Sequence, residues 1–149
     1  MPIVLEIWNA IKTKIAVNYA GGFSGLDMTS RVYQGSYSEA PMIPSCYVIF
    51  VDSTEQNGQV LTRYQGSARF QVYCFTSGVN NFERAQLAIK LGADVQKKIT
   101  DDRTLGLTPG RVDNVICALS ALDGDRFGMS TTGIAIVQID VQFQSDSGV

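Results

Sequence analysis

The last strand candidate constrains the fold of this chain more than any other segment. Apolar and polar residues alternate from Ala135 to Gln144, with Ile136 as the one apolar residue on the polar side. The apolar positions are Ala135, Val137, Ile139, Val141 and Phe143. The alternation predicts a strand with one buried and one solvent-facing side. Strands of this kind belong to antiparallel sheets that are covered on a single face.

Two segments have the apolar spacing of amphipathic helices. In Ile3–Val17 the stripe consists of Val4, Ile7, Trp8, Ile11 and Ile15. A second helix is predicted from Asn80 to about Thr100, because Asn80 and Glu83 have the spacing of a capping box. Its predicted buried stripe consists of Phe82, Ala85, Ala88, Leu91, Val95 and Ile99.

Further strands are predicted at Arg31–Ser38, Ser45–Asp52, Ser67–Phe75 and Val112–Leu122. Asn57-Gly58 predicts a hairpin with a type I′ turn, because both residues tolerate the positive φ angles of that turn. Helices and short-turn strand pairs in this order indicate an α+β fold. We predict an antiparallel four- to five-stranded sheet with two helices packed on one face, in a single domain of residues 1–149.

The low content of charge indicates a protein that assembles. Charged residues make up 17% of the chain, against about 25% in an average protein. A surface poor in charge repels its own copies weakly, although a merely polar monomer has the same composition. The net charge is −2 and no basic stripe is present, so no specific binding of nucleic acid is expected.

The sequence offers little material for catalysis. It contains no histidine and no Cys-x-x-Cys pair, and Gly21–Gly25 lacks the context of a phosphate loop. Cys46, Cys74 and Cys117 lie in apolar runs and are predicted to be free, buried thiols. The longest apolar run, Cys46–Val51, is far shorter than the ~20 residues that span a bilayer. We therefore predict no enzyme activity, no cofactor, no metal and no membrane partner.

Arginine and aromatic residues at loop or outward strand positions are candidates for subunit or partner contacts. Both residue types are enriched at protein–protein interfaces. An alternative for Tyr33, Tyr64 and Phe127 is that they cap the edge of the core. The predicted interface set is Arg31, Tyr33, Asn57, Gly58, Arg63, Tyr64, Arg69, Tyr73, Arg126 and Phe127.

The layout of the whole chain resembles that of a known family. The features that carry the likeness are the helix Ile3–Val17, the extended segment Pro44–Val48, the hairpin at Asn57-Gly58, the run Ala68–Tyr73, the helix Asn81–Ile99 and the strand Ile134–Gln144. In order and size they resemble the tail terminator, or tail completion, proteins of long-tailed bacteriophages. The family has no sharp sequence motif, so the resemblance depends on layout.

The resemblance implies a structural virion protein without a cofactor or catalytic residue. Members of the family form a ring, typically a homohexamer, at the head-proximal end of the tail tube. The ring ends tube growth and provides the surface for head–tail joining. The implied partners are further copies of the chain, the tail tube protein and a head connector or neck protein, and DNA can pass through the ring. The implied location is the virion, after folding and assembly in the host cytoplasm.

Two other classes of protein are alternatives for this sequence. Another tail or neck protein, such as a tube subunit or a head-completion protein, fits the same size and composition. A small ligand-binding domain or enzyme would require polar groups that converge in an apolar pocket. Electron microscopy distinguishes a tube subunit from a tail terminator, because a tube subunit polymerises into long tubes whereas a terminator stops at one ring.

Overall fold

The computed structural model describes residues 2–35, 43–60, 63–107, 111–122 and 131–145, without the side chains of residues 55–60, 63, 64, 122 and 145. The elements are α1 (Ile3–Ile15), β1 (Val32–Gln34), β2 (Ser45–Val60), β3 (Arg63–Thr76), α2 (Asn81–Thr100), β4 (Val112–Leu122) and β5 (Gly133–Ser145). The predicted α+β class is confirmed.

The five strands form one sheet in the order β1-β2-β3-β5-β4. All neighbouring pairs are antiparallel except β1 and β2, which run parallel. The predicted antiparallel sheet is therefore confirmed for every neighbouring pair except this one. A parallel pair cannot be joined by a tight turn, and ten residues, Gly35 to Pro44, separate β1 from β2.

Both helices pack on the same face of the sheet, as predicted. α1 buries Ile3, Ile7, Ile11 and Ile15, and α2 buries Ala88, Leu91, Val95 and Ile99. These side chains form one cluster with the inward residues of the strands, including Phe70, Val72, Val137 and Ile139. The Trp8 indole N–H donates a hydrogen bond of 2.9 Å to the Val48 carbonyl and attaches α1 to β2.

The beginning of α2 differs in part from the prediction. Asn80 caps the helix as expected, since its side chain accepts a hydrogen bond of 2.9 Å from the Glu83 backbone. Phe82, however, is 73% exposed and Ala85 is also exposed. The first turn meets the end of the sheet through its backbone, where the Thr76 hydroxyl donates to the Arg84 carbonyl at 2.8 Å. This contact turns the side chains of Phe82 and Ala85 away from the core.

The segment after α1 is attached to α2 through a buried carboxylate. Asp94 accepts hydrogen bonds from the Phe23 and Ser24 backbone amides, both at 2.8 Å, and from the Ser24 hydroxyl at 2.6 Å. Asp94 is only 4% exposed. A Cβ atom at Gly22 would overlap the carboxylate, so glycine allows this close approach. Helix α1, which precedes this segment, ends at Ile15 and not at the predicted Val17.

The β2–β3 hairpin is confirmed, but its turn is not at Asn57-Gly58. β2 continues to Val60, which pairs with Arg63, and the register shifts between Gln56 and Val60. Asn57 and Gly58 therefore lie in a strand irregularity. Residues that tolerate positive φ occur in bulges as well as in turns. The Asn-Gly pair therefore did not show where the hairpin turns.

A second bulge in β2 decides which face its outer half presents. Phe50 pairs with Phe70 and Asp52 with Arg69, so Val51 is an extra residue on β2. Uninterrupted alternation from Cys46 would place Asp52 on the helix-covered side. The bulge instead places it opposite Arg69, on the side away from the helices.

Candidate assembly interface

The side of the sheet away from the helices is called the open face below. It consists of the strand residues that alternate with the core positions, and its three regions differ in chemistry. The end near the start of β2 is aromatic, the middle carries amides and charges, and the outer strand β4 carries small or apolar residues.

The aromatic end forms a small second cluster. The Tyr33 ring stacks on the Tyr47 ring with centroids 5.1 Å apart, and Tyr47 meets Phe75 edge-on at 5.8 Å. Phe75 and Ile134 are almost fully buried, and Tyr73 packs against the cluster. Contacts of this kind contribute about 0.5–1.5 kcal/mol beyond their buried area. Two predicted interface residues, Tyr33 and Tyr73, are thus half-buried members of this cluster.

The middle of the open face carries amides and charges in register. Gln71 is paired with Gln138, and in the next row Arg69 lies between Asp52 and Asp140. Arg69 donates to both oxygens of Asp52, at 3.2 and 3.3 Å. Both side chains are about half exposed, so the pair contributes roughly 0–1 kcal/mol to stability. Arg69 is outward-facing, as predicted.

The same row ends at β4 with an apolar residue. Asp140 is paired with Ile116, whose side chain is 54% exposed.

On the other side of β4, Cys117 is half-buried against the core. Burial, together with the charge of Asp140, raises the pKa of the Cys117 thiol to about 11. This thiol is therefore protonated at neutral pH and weakly nucleophilic.

The sheet has two free edges within the described residues. No described strand lies beyond β4, which leaves an edge along Val112–Leu122. At the other side, β1 pairs only with residues Cys46 to Val48 of β2, so the edge of β2 is uncovered from Ile49 onward. Edges of this kind present unpaired N–H and C=O groups to a further strand.

Apolar residues are exposed just before α2 and along it. Val79 is 90% exposed and Phe82 is 73% exposed, and Ile89 is 43% exposed further along the helix. The stripe predicted for α2 included Phe82 as core. Helical periodicity does not show where the sheet beneath the helix ends, so the pattern alone could not separate Phe82 from the buried positions.

The structure brings only part of the predicted interface set together. Tyr33, Arg69 and Tyr73 share the open face, whereas Arg31 precedes β1 and is half-buried. Asn57, Gly58, Arg63 and Tyr64 lie in the outer part of the hairpin, where the structure describes the backbone alone. Arg126 and Phe127 lie outside the described residues. Val79, Phe82 and Ile116 are among the exposed apolar residues that the predicted interface set does not contain.

A groove on the helix side has a volume of about 640 Å³ and lies between α1 and the segment after α2. Its floor includes Ala10, Val17, Leu105 and Leu107. Two charged residues of its lining are already paired, since Lys14 binds Asp102 at 2.8 Å and Glu6 binds Arg111 at 2.6 Å. The exposed lining of the groove is mainly apolar, and its third charged residue is Lys98.

Metal-binding clusters and membrane-spanning helices are both absent from the part of the chain that the structure describes. No group of three histidine, cysteine, aspartate or glutamate side chains is arranged to hold a metal ion in that part of the chain. None of the helices described is both long enough and apolar enough for a membrane span.

Comparison with known proteins gives a structural likeness but no match to a family model or a curated protein. Among solved structures, the protein matches a chain described as part of the virion of a native gene transfer agent particle, with a TM-score of 0.56 and 12% identity. The match covers 93% of this chain and 95% of that one. The fold is one that occurs in a virion particle.

The likeness extends over nearly the full length of both chains, so it includes the sheet and both helices. At 12% identity it shows the shared fold and assigns no role to individual residues.

Proposed function

We propose that this chain, as one domain of residues 1–149, is a structural protein of a phage-type virion that forms a ring at the head-proximal end of the tail tube. The ring ends tube growth and provides the surface to which the head is joined. The observation that carries the proposal is the fold shared with a chain of a virion particle, over 93% of this chain.

The two free edges supply the unlike surfaces that a ring requires. In a cyclic assembly each interface joins one patch to a different patch on the next copy. The β4 edge and the β2 edge from Ile49 onward are the two opposite edges of the sheet. Contact between them in successive copies would pair backbone groups that are otherwise left to solvent.

The proposed partners occupy different parts of the subunit. Copies of the chain meet at the sheet edges, and the tail tube protein and a head connector or neck protein bind the two rims of the ring. The connection between β2 and β3 precedes Arg63, at the start of β3, whereas the exposed Val79 and Phe82 follow Thr76, at its end. Each end is thus available to one rim. Folding and ring assembly take place in the host cytoplasm.

The first test is the native mass of the purified chain, combined with negative-stain electron microscopy. We expect a closed ring, typically a hexamer, that does not lengthen with protein concentration. Long tubes would show a tube subunit instead. Single copies, under conditions in which phage tails join heads and with both partners present, would contradict the proposal.

A charge at the β4 edge is expected to weaken ring formation. Ile116→Lys places an ammonium group on an exposed position of the edge strand, 54% exposed in the single chain. The concentration for half-assembly is expected to rise at least about tenfold, which corresponds to about 1.4 kcal/mol. Analytical ultracentrifugation over a concentration series measures this shift.

The matched control for this test is Leu5→Lys. Leu5 is 41% exposed and lies on α1, outside both edge strands. Circular dichroism should show that both variants keep the fold. Equal assembly of the two variants would show that the β4 edge is not an interface.

A further inference from the structure

Two cysteines face each other across the β2–β3 pair. Cys46 and Cys74 are register partners on these antiparallel strands. Both are free and fully buried, and their Sγ atoms are 3.7 Å apart. From the sequence they are expected only to be buried hydrophobic residues. The register adds something that the sequence does not contain, which is a pair of thiols within reach of each other.

The backbone geometry at this pair is the one that suits a cross-strand disulfide. The Cys46 N–H donates to the Arg31 carbonyl at 2.9 Å, on the β1 side of β2. Two residues later the Val48 carbonyl accepts from the Gly35 N–H, on the same side. The backbone polar groups of Cys46 therefore point away from β3. Cys46 and Cys74 are thus a non-hydrogen-bonded pair.

In such a pair the two Cα atoms are about 4.5 Å apart. Disulfides occupy Cα separations from about 4.4 to 6.8 Å. The strands therefore already have a spacing that a disulfide accepts, near its short end. Closing the remaining gap between the Sγ atoms requires side-chain rotation and no change of register.

We propose that Cys46 and Cys74 form a redox modification site, at which an intrachain disulfide joins β2 to β3 when the protein meets a small-molecule disulfide. One cysteine thiolate attacks the external disulfide and releases one thiol. The other thiolate then attacks the resulting mixed disulfide and releases the second thiol. Two protein thiols are oxidised, one external disulfide is reduced to two thiols, and their protons are exchanged with solvent.

The reduced pair is expected to persist in a reducing cytoplasm and to react slowly in the folded chain. The hydrogen bond with Cys74, and then burial, raise the pKa of the Cys46 thiol well above its ordinary value. The thiolate is the reactive form, so exchange depends on local opening of the sheet. The disulfide is therefore expected to form in an oxidising medium, slowly in the folded chain and faster in a chain that folds there.

The effect of the disulfide is on the unfolded chain. It would close a loop between residues 28 positions apart, which contains the whole hairpin. Restricting a loop of this length in the unfolded state stabilises the folded state and raises Tm by roughly 5–10 °C. The disulfide joins two strands of one subunit, so it does not depend on ring formation.

The test uses the full chain and oxidised glutathione as the probe. Reduced protein is incubated with oxidised glutathione in native buffer, and a second sample is refolded from denaturant in the same buffer. We expect loss of two hydrogen masses per chain, a Cys46–Cys74 cross-linked peptide after proteolysis, and a rise in Tm that dithiothreitol reverses. Refolding should give the product faster than native incubation.

Two variants serve as controls. Cys117→Ser removes the third thiol and should leave both the cross-link and the rise in Tm unchanged. Cys74→Ala should abolish both, and its own circular dichroism shows whether it has folded. Any effect of the ring is read separately from the native mass, so this proposal and the ring proposal can fail independently.

Three results would overturn the proposal. One is a refolded chain with native circular dichroism and three titratable thiols after exposure to oxidised glutathione. Another is a cross-link that involves Cys117 or a second chain. The third is a Cys46–Cys74 disulfide found only in protein that has lost its native circular dichroism.

Discussion

Substitution of Asp94 by alanine is expected to lower the free energy of unfolding by about 3 kcal/mol. The buried carboxylate accepts three hydrogen bonds from Phe23 and Ser24, all between 2.6 and 2.8 Å. Alanine would leave two backbone amides and a hydroxyl without an acceptor in a half-buried site. Urea denaturation followed by circular dichroism measures the change.

Asp94→Asn and Asp101→Ala are the controls for this prediction. Asparagine keeps one acceptor oxygen, so its loss of stability should be smaller than that of alanine. Asp101 follows α2 and is exposed, so its removal should cost less than about 0.5 kcal/mol. If Asp94→Ala behaved like Asp101→Ala, the anchoring role of Asp94 would be refuted.

Gly133→Ala is expected to destabilise the chain by about 3 kcal/mol. A Cβ atom at Gly133 would overlap the backbone carbonyl of Arg84 in the first turn of α2. The helix cannot move away without losing the 2.8 Å hydrogen bond from the Thr76 hydroxyl to the same carbonyl. Thermal and urea unfolding report the loss, and far-ultraviolet circular dichroism reports whether the variant has folded.

The matched control is Gly21→Ala. A Cβ atom at Gly21 has no atom within 4 Å, and the residue does not have a left-handed backbone conformation. Its stability is therefore expected to change by less than about 0.5 kcal/mol. Equal stability of the two alanine variants would show that the contact between Gly133 and α2 does not constrain the fold.

Both substitutions act on the position of α2. Asp94 attaches the middle of the helix to residues 21–25, and Gly133 allows its first turn to lie against the end of the sheet. The two contacts keep the exposed Val79 and Phe82 at one fixed place on the subunit. If these residues contact a partner at one rim of the ring, either substitution should also weaken that contact.

The local parts of the fold could be predicted from the sequence because the pattern carries their signal directly. Ala135, Val137, Ile139, Val141 and Phe143 are all buried, as the alternation indicates. The cap at Asn80 and the limits of β4 are likewise as predicted. In each case the deciding contacts are between residues close in sequence, or follow from strand periodicity.

The remaining features depend on contacts that the sequence pattern does not contain. The exposure of Phe82 follows from the place where the sheet ends beneath α2. The position of Asn57-Gly58 in an irregular strand depends on the register with β3. Of the interface candidates, the outward position of Arg69 was predictable by alternation, whereas its pairing with Asp52 requires the bulge at Val51.

That bulge has a consequence for how the gene can vary. Because Val51 stands outside the ladder, loss of its codon would leave Asp52 opposite Arg69 and Thr54 opposite Ser67. The same loss in a regular part of the strand would exchange the two faces from that point onward. Distant relatives are therefore free to differ in length by one residue at this place and still carry the same outward side chains.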